Sequence, residues 1–237
     1  MKAEAHKSPE QLLLNWPVRE IFSEVDFLPS SSNEAAVRWI DSWPNWQRGE
    51  EDFHCLIIYG AEGCGKTHLA HIWQKISDAQ IIRIEELKTL NFSVGDQFVY
   101  IIEDIDNKEI SEKEAEALLH LYNWLKEQGG FLLLTASKRP KKWNLKLADL
   151  SSRLLASEAV KINSPDDDLL RSVIIKQFSD RQIILSDKVV SYIIKYADRS
   201  FSSVRDLVRE LDILSMSEKK KITVPLVKRV LAMRGEK

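Results

Sequence analysis

The chain has 237 residues, 44% hydrophobic and 30% charged, which suits one large domain or a large and a small one. A net charge of −2 excludes a global basic field, so neither strong direct DNA binding nor membrane-surface binding is expected. The two cysteines, Cys55 and Cys64, form no disulfide framework, and the sequence shows no spanning apolar run and no signal-peptide pattern; a cytoplasmic protein is expected.

Residues 1–10 are polar and expected to be disordered. Gln11-Leu12-Leu13-Leu14-Asn15-Trp16 follows and has two readings. It is an N-terminal strand or staple onto the domain, or a short linear motif whose apolar anchors enter a preformed groove while the Gln supplies a directional hydrogen bond. A loop over 26–33 leads into a helix capped by Ser32 or Asn33, with Ala36, Trp39, Ile40 and Trp43 on one face and Pro44 at its end. Gly49–Asp52 is a polar turn, and Phe53–Tyr59 reads as a buried strand.

Next comes Gly60-Ala61-Glu62-Gly63-Cys64-Gly65-Lys66-Thr67, the pattern G-x-x-x-x-G-K-T. Glycines let the backbone wrap an anion with its N–H groups, and the N-terminus of the helix that follows adds partial positive charge. Lys66 would reach the β- and γ-phosphates of ATP or ADP, and the Thr67 hydroxyl would ligate Mg²⁺. Gly60, Gly63, Cys64, Gly65, Lys66, Thr67 and the adjoining His68 form the expected nucleotide-binding set.

A second strand is expected over Ile81–Ile84, then a turn at Gly95-Asp96. Phe98–Ile102 is an apolar strand ending in Glu103-Asp104-Ile105-Asp106, whose carboxylates would hold the Mg²⁺ water shell and polarise an attacking water. Ser111 and Glu114 form a capping box at the start of a helix that Gly129-Gly130 stops. Phe131–Thr135 is a further strand. Lys138–Lys146 is a basic loop, read as solvated, with phosphate or partner contact as the alternative. Ser152-Arg153 precedes a last strand over Ala159–Ile162. Strands alternating with helices argue an α/β fold with a parallel sheet.

At Ser164-Pro165 the pattern becomes helical. One helix runs to about Ser179, Ser186 caps a second, Ser202 or Ser203 a third, and Thr223-Val224-Pro225 opens a fourth ending at Met233. The expected organisation is a flexible segment over 1–20, an α/β nucleotide-binding domain over 21–163 and a small all-α lid over 164–237.

An α/β P-loop base followed by a helical lid resembles the AAA+ superfamily and, within it, the DnaA initiator family. The likeness is carried by Asp26-Phe27-Leu28 through Ser32-Asn33-Glu34-Ala35-Ala36, by the P-loop, by Leu132-Leu133-Leu134-Thr135-Ala136-Ser137 with Pro140 (sensor 1), partly by Leu150-Ser151-Ser152-Arg153-Leu154, and by Ser203-Val204-Arg205-Asp206-Leu207 (sensor 2). It covers roughly residues 11–235. Gln11, Leu12, Leu14 and Trp16 are similar to the reading positions of the bacterial sliding-clamp-binding hexapeptide. The initiator carries a C-terminal helix-turn-helix domain, whereas this chain stops at the lid. Together these features make it similar to the Hda-type regulatory branch of the family.

The resemblance implies a nucleotide-bound regulator that docks on the DNA-loaded sliding clamp, meets ATP-bound DnaA and triggers hydrolysis of DnaA's ATP. It places Lys66 and Thr67 on phosphate and Mg²⁺, Glu103 as the metal-associated acid and Asp104 as the second acid. Ser137 falls at sensor 1, Arg153 at an arginine finger acting in trans, and Arg205 at sensor 2. A homodimer is left open. Three departures imply weak hydrolysis at the chain's own site and ADP as the resting nucleotide: a Glu-Asp acid pair, a Ser at sensor 1, and Asp149 where the initiator has an arginine. The plainer readings are a loop arginine paired with Asp149 for Arg153 and an exposed helix charge for Arg205. The alternative function is a clamp-associated adaptor or loader subunit that uses nucleotide as a conformational switch; an autonomous P-loop ATPase or kinase is a third.

Overall fold

The computed structural model describes residues 28–46, 54–89 and 98–235. The segment over 1–20 with Gln11, Leu12, Leu14 and Trp16, and the turns at Gly49–Asp52 and Gly95-Asp96, lie outside the described residues.

Five short strands make the centre: β1 His54–Tyr59, β2 Gln80–Ile82, β3 Val99–Ile102, β4 Phe131–Ala136 and β5 Glu158–Lys161. They form one parallel sheet in the order β2-β3-β4-β1-β5. The inner strands read as continuous apolar runs because both faces are covered. Leu133 pairs with Leu56 on one side and Ile101 on the other, so the three stand in one row. This row and Ile58 face the helices α1 (Glu34–Ser42) and α2 (Lys66–Ser77). The alternate residues Ile57, Ile102, Leu132 and Leu134 face α3 (Glu112–Gln128) and α4 (Ala148–Ala156). The period-2 alternation of a strand thus supplies two cores from one sheet.

The tryptophans of the α1 region line the first core: Trp46 stacks on Trp73 with ring centroids 4.9 Å apart, and Trp39 meets Trp46 edge-on at 6.5 Å. In the second core α3 carries the expected capping box. Ser111 Oγ accepts from the Glu114 N–H, Glu114 Oε2 accepts from the Ser111 N–H at 2.9 Å, and Gly129 ends the helix at φ 64°.

Three local expectations are corrected. Arg153 lies on a helix, α4, and not on the loop of its plainer reading, although it does pair with Asp149 as that reading has it. No side chain caps α4; it is held by Leu150 and Leu154, both fully buried against α3, so only tertiary packing marks it. The second strand is Gln80–Ile82, and Ile84 is buried in the turn after it. The remaining helices are α5 (Asp167–Ser179), α6 (Asp187–Tyr196), α7 (Phe201–Glu218) and α8 (Val224–Met233). Ser200, not Ser202 or Ser203, is the N-cap of α7; its hydroxyl accepts from the Ser203 N–H at 3.1 Å.

Helices α5 to α8 enclose a separate apolar core that includes Ile174, Phe178, Ile193, Leu207, Leu211 and Val227. Among the described residues no helix is long and apolar enough to cross a membrane.

Candidate nucleotide-binding site

The site lies at the carboxyl ends of the strands, where α/β sheets bind ligands. β1 ends at Tyr59 and α2 begins at Lys66, so the glycine-rich loop is the whole connection between them. Gly63 and Gly65 take φ of 70° and 103°, a region that L side chains rarely adopt. A Cβ on Gly60 would collide with the Ile162 carbonyl and come within 2.9 Å of Cys64 Sγ. Cys64 is buried at 2% exposure, and burial pushes its thiol above the usual value, against the opposing charge of Lys66. A buried neutral thiol packed on Gly60 is filler, not a reactive group.

Lys66 is the buried cation of the loop, at 6% exposure. Its Nζ donates to the carbonyls of Gly60 at 3.0 Å and Ala61 at 3.2 Å. An ammonium has three donors, so one N–H remains for a phosphate oxygen. Thr67 and His68, on the first turn of α2, are exposed.

Glu103 and Asp104 follow β3 directly. Glu103 Oε1 is buried and has no hydrogen-bond partner among the described residues. Its Oε2 is 3.7 Å from His71 Nε2, one helical turn after Thr67 on α2. A buried carboxylate oxygen left unpaired is costly unless a cation or its water shell completes it. The donor set of Glu103 and the Thr67 hydroxyl is all oxygen, as Mg²⁺ requires, so the residues present fit that ion.

Thr135, to which the sequence reading gave no role, and Asp106, which it grouped with the Mg²⁺ acids, join Glu103-Asp104 to the stretch around Ser137. Thr135 Oγ1 accepts from the Asp104 N–H at 2.8 Å, and the Thr135 carbonyl accepts from the Ile105 N–H at 3.0 Å. The Asp106 carboxylate accepts from the consecutive N–H groups of Ser137 at 2.6 Å and Lys138 at 2.8 Å. Ser137 is therefore held by its backbone while its side chain is exposed. Both carboxylate oxygens of Asp106 are thus engaged by backbone N–H groups, which corrects its expected place with the Mg²⁺ acids; local pattern does not distinguish the two roles. In the basic stretch after it, Pro140–Lys142 forms a short 3-10 turn, and buried Trp143 donates from Nε1 to the Lys138 carbonyl at 2.6 Å.

The lid reaches the loop through the start of α7. The Phe201 N–H donates to the Gly63 carbonyl at 2.8 Å. The hydroxyls of Ser200 and Ser202, 3.1 Å apart, lie against Gly63, and a Cβ there would collide with Ser202 Oγ. Arg205 is exposed one turn further along α7 and makes no ion pair among the described residues.

The loop thus touches the start of α7 through Gly63 and the end of β4 through the Gly60 N–H on the Ala136 carbonyl at 3.1 Å, and the residues that close β4 in turn hold the acids. Arg153 is not part of that set. On the last turn of α4, its Nε donates to Asp149 Oδ1 at 3.1 Å, and its guanidinium carbon is 5.7 Å from the Tyr122 ring centroid.

A parallel sheet in this order, a P-loop after β1, acids after β3 and a helical unit against the loop define a P-loop module of the AAA+ class. A model of the bacterial DnaA ATPase domain matches residues 19–160, and the chain belongs to that family. A second model, of the Hda lid domain, matches residues 167–231, which makes the chain a DnaA-related AAA+ protein of the Hda type. It is similar to the chromosomal replication initiator protein DnaA of Buchnera aphidicola subsp. Cinara cedri, 26% identical over 93% of this chain and 55% of that protein. The chain thus spans about half the length of that curated relative. It is also similar to an uncharacterised protein of Haemophilus influenzae, 28% identical over 74% of this chain and 80% of that one. Domain III of the Thermotoga maritima initiator DnaA shares the fold, with a TM-score of 0.70 at 19% identity, covering 87% of this chain and 93% of that one.

Proposed function

We propose that this replication-initiation-related AAA+ protein activates the ATPase of a second family member. Docked on the sliding clamp through Gln11, Leu12, Leu14 and Trp16, it stimulates hydrolysis of the ATP held by the initiator DnaA, with Arg153 as a finger in trans. Its own site holds ATP or ADP as a structural ligand. Lys66 and the loop N–H groups bind the phosphates, Thr67 and Glu103 hold Mg²⁺, and Asp104 stands where a water would be oriented. Ser137 and Arg205 report the phosphates from sensor 1 and from the lid. Bound Mg²⁺ would offset phosphate charge there.

The observation that carries the reading is the placement of Arg153. Its side chain is 31% exposed, and the side chain's polar and ring contacts among the described residues are to Asp149 and Tyr122, with none to the P-loop. An arginine set apart from the chain's own phosphates is available to those of a neighbour. Such a residue neutralises charge developing on the transferred phosphoryl group and is worth roughly 10³–10⁵ in rate.

The test is ATP hydrolysis by DnaA with this protein, DNA and loaded clamp added in turn. Hydrolysis should rise only with protein and clamp together and fall back with Arg153→Ala, while that variant still binds nucleotide and clamp. A fully active Arg153→Ala variant would overturn the finger assignment.

A further inference from the structure

Arg153 does not hang free from α4, and the way it is held bears on what it can do. Leu150 and Leu154, both fully buried against α3, fix the register of α4. Asp149 and Arg153 each precede one of these anchors by one residue, so they form an i,i+4 pair on a helix that cannot rotate. The acid lies N-terminal to the cation, the favourable order for such a pair. Tyr122, packed on the same core from α3, brings its ring to the guanidinium, 5.7 Å from centroid to Cζ.

The pairing atom matters most. Asp149 Oδ1 takes the Nε–H, at 3.1 Å. That donor lies at the inner end of the guanidinium. Among the described residues neither Nη has a hydrogen-bond partner, so both terminal nitrogens keep their donors for an incoming phosphate. The ring lies beside the group and the carboxylate takes its Nε–H, and both contacts favour one rotamer of the side chain. An arginine without these restraints spreads over many rotamers, and its effective rate scales with the fraction correctly aimed.

We infer that Asp149 and Tyr122 are positioning residues for Arg153: the carboxylate takes Nε–H and the ring flanks the guanidinium, aiming both Nη groups outward at the phosphates of a neighbouring AAA+ subunit. The inference rests on the proposed function, and it turns Asp149, a departure from the initiator pattern, into part of the device. Neither residue touches the reacting atoms; both act through Arg153.

The experiment titrates each variant into DnaA, ATP, DNA and loaded clamp, and reads the maximal hydrolysis rate and the half-saturating concentration separately. Asp149→Ala should lower the maximal rate about twofold and Tyr122→Leu about two- to fivefold, with the half-saturating concentration unchanged. Asp149→Asn keeps an oxygen acceptor for Nε–H, and Tyr122→Phe keeps the ring; both should match wild type in both parameters. Nucleotide affinity should be unchanged throughout. A wild-type maximal rate for Asp149→Ala, with Arg153→Ala inactive, overturns the positioning inference and leaves the finger standing. A change confined to the half-saturating concentration also overturns it, since that is a docking role. An active Arg153→Ala variant overturns the parent reading. If Tyr122→Leu fails to fold, the exposed Asp149→Ala and Asp149→Asn pair decides.

Discussion

Gly63→Ala is the sharpest probe of the contact between lid and loop. The residue has φ 70°, where an L side chain costs roughly 1–2 kcal/mol over glycine. The new methyl would also collide with Ser202 Oγ and come within 2.8 Å of Ser200 Cβ, both on the lid. Relieving it means backing α7 away from the loop, which gives up the bond from the Phe201 N–H to the Gly63 carbonyl, worth about 0.5–1.5 kcal/mol net. Bound phosphate holds the loop in the left-handed turn that aims its N–H groups. The strain therefore falls on the bound state, and together these terms, about 1.5–3.5 kcal/mol, weaken ADP binding by roughly 10- to 400-fold. Titration with a fluorescent ADP analogue reads this directly. Adding Ser202→Ala removes the nearest clashing atom and should recover part of the loss, leaving the cost of the positive φ. Affinity within about twofold of wild type for Gly63→Ala would refute the strain argument. No recovery in the double variant would refute the lid contact.

Two further outcomes follow from single side chains. Lys66→Ala removes a charge-assisted donor to phosphate and should weaken ADP binding by roughly ten- to a hundredfold in equilibrium dialysis, with a circular dichroism spectrum like wild type; unchanged affinity would remove the loop from the site. Glu114 is held down at about 2 by hydrogen bonds from the Ser111 hydroxyl and backbone N–H, aided by Lys108 and Lys88. Because its folded pKa lies below the usual 4.5, its contribution to stability is fully present above that value and is lost as pH falls from there toward about 2. Glu114→Gln should cost about 1–2 kcal/mol at neutral pH and flatten the pH dependence of urea unfolding across that window. A variant that keeps the wild-type slope would place the titration elsewhere.

Much of the nucleotide site was legible because its parts are local. Gly60 to Thr67 is one continuous loop whose glycines answer to its own backbone angles, and Glu103-Asp104 ends a strand whose apolar run is plain. The capping box of Ser111 and Glu114 was readable for the same reason, since a helix start is decided within four residues. Helix α4 was not legible: it lacks a cap, and Leu150 and Leu154 are too few to define a face without the α3 surface they bury against. Ser200 escaped notice beside Ser202 and Ser203 because any of the three can cap, and only the path of the chain into α7 selects one.

By itself the sequence determined the element types other than α4, the phosphate loop, the acids after β3 and the change to helices near residue 164, all written in periodicities and short spacings. The tertiary structure decided the rest. The order β2-β3-β4-β1-β5 joins parallel apolar runs that are interchangeable as local patterns, and only the packing of helices on both faces chooses among them. The clasp of Asp106 on Ser137 and Lys138, and the seat of the lid on Gly63, join residues far apart in the chain. The setting of Arg153 against Asp149 and Tyr122 likewise depends on α4 packing on α3. Such contacts are settled by which surfaces bury together, and the residues on either side carry no local mark of it.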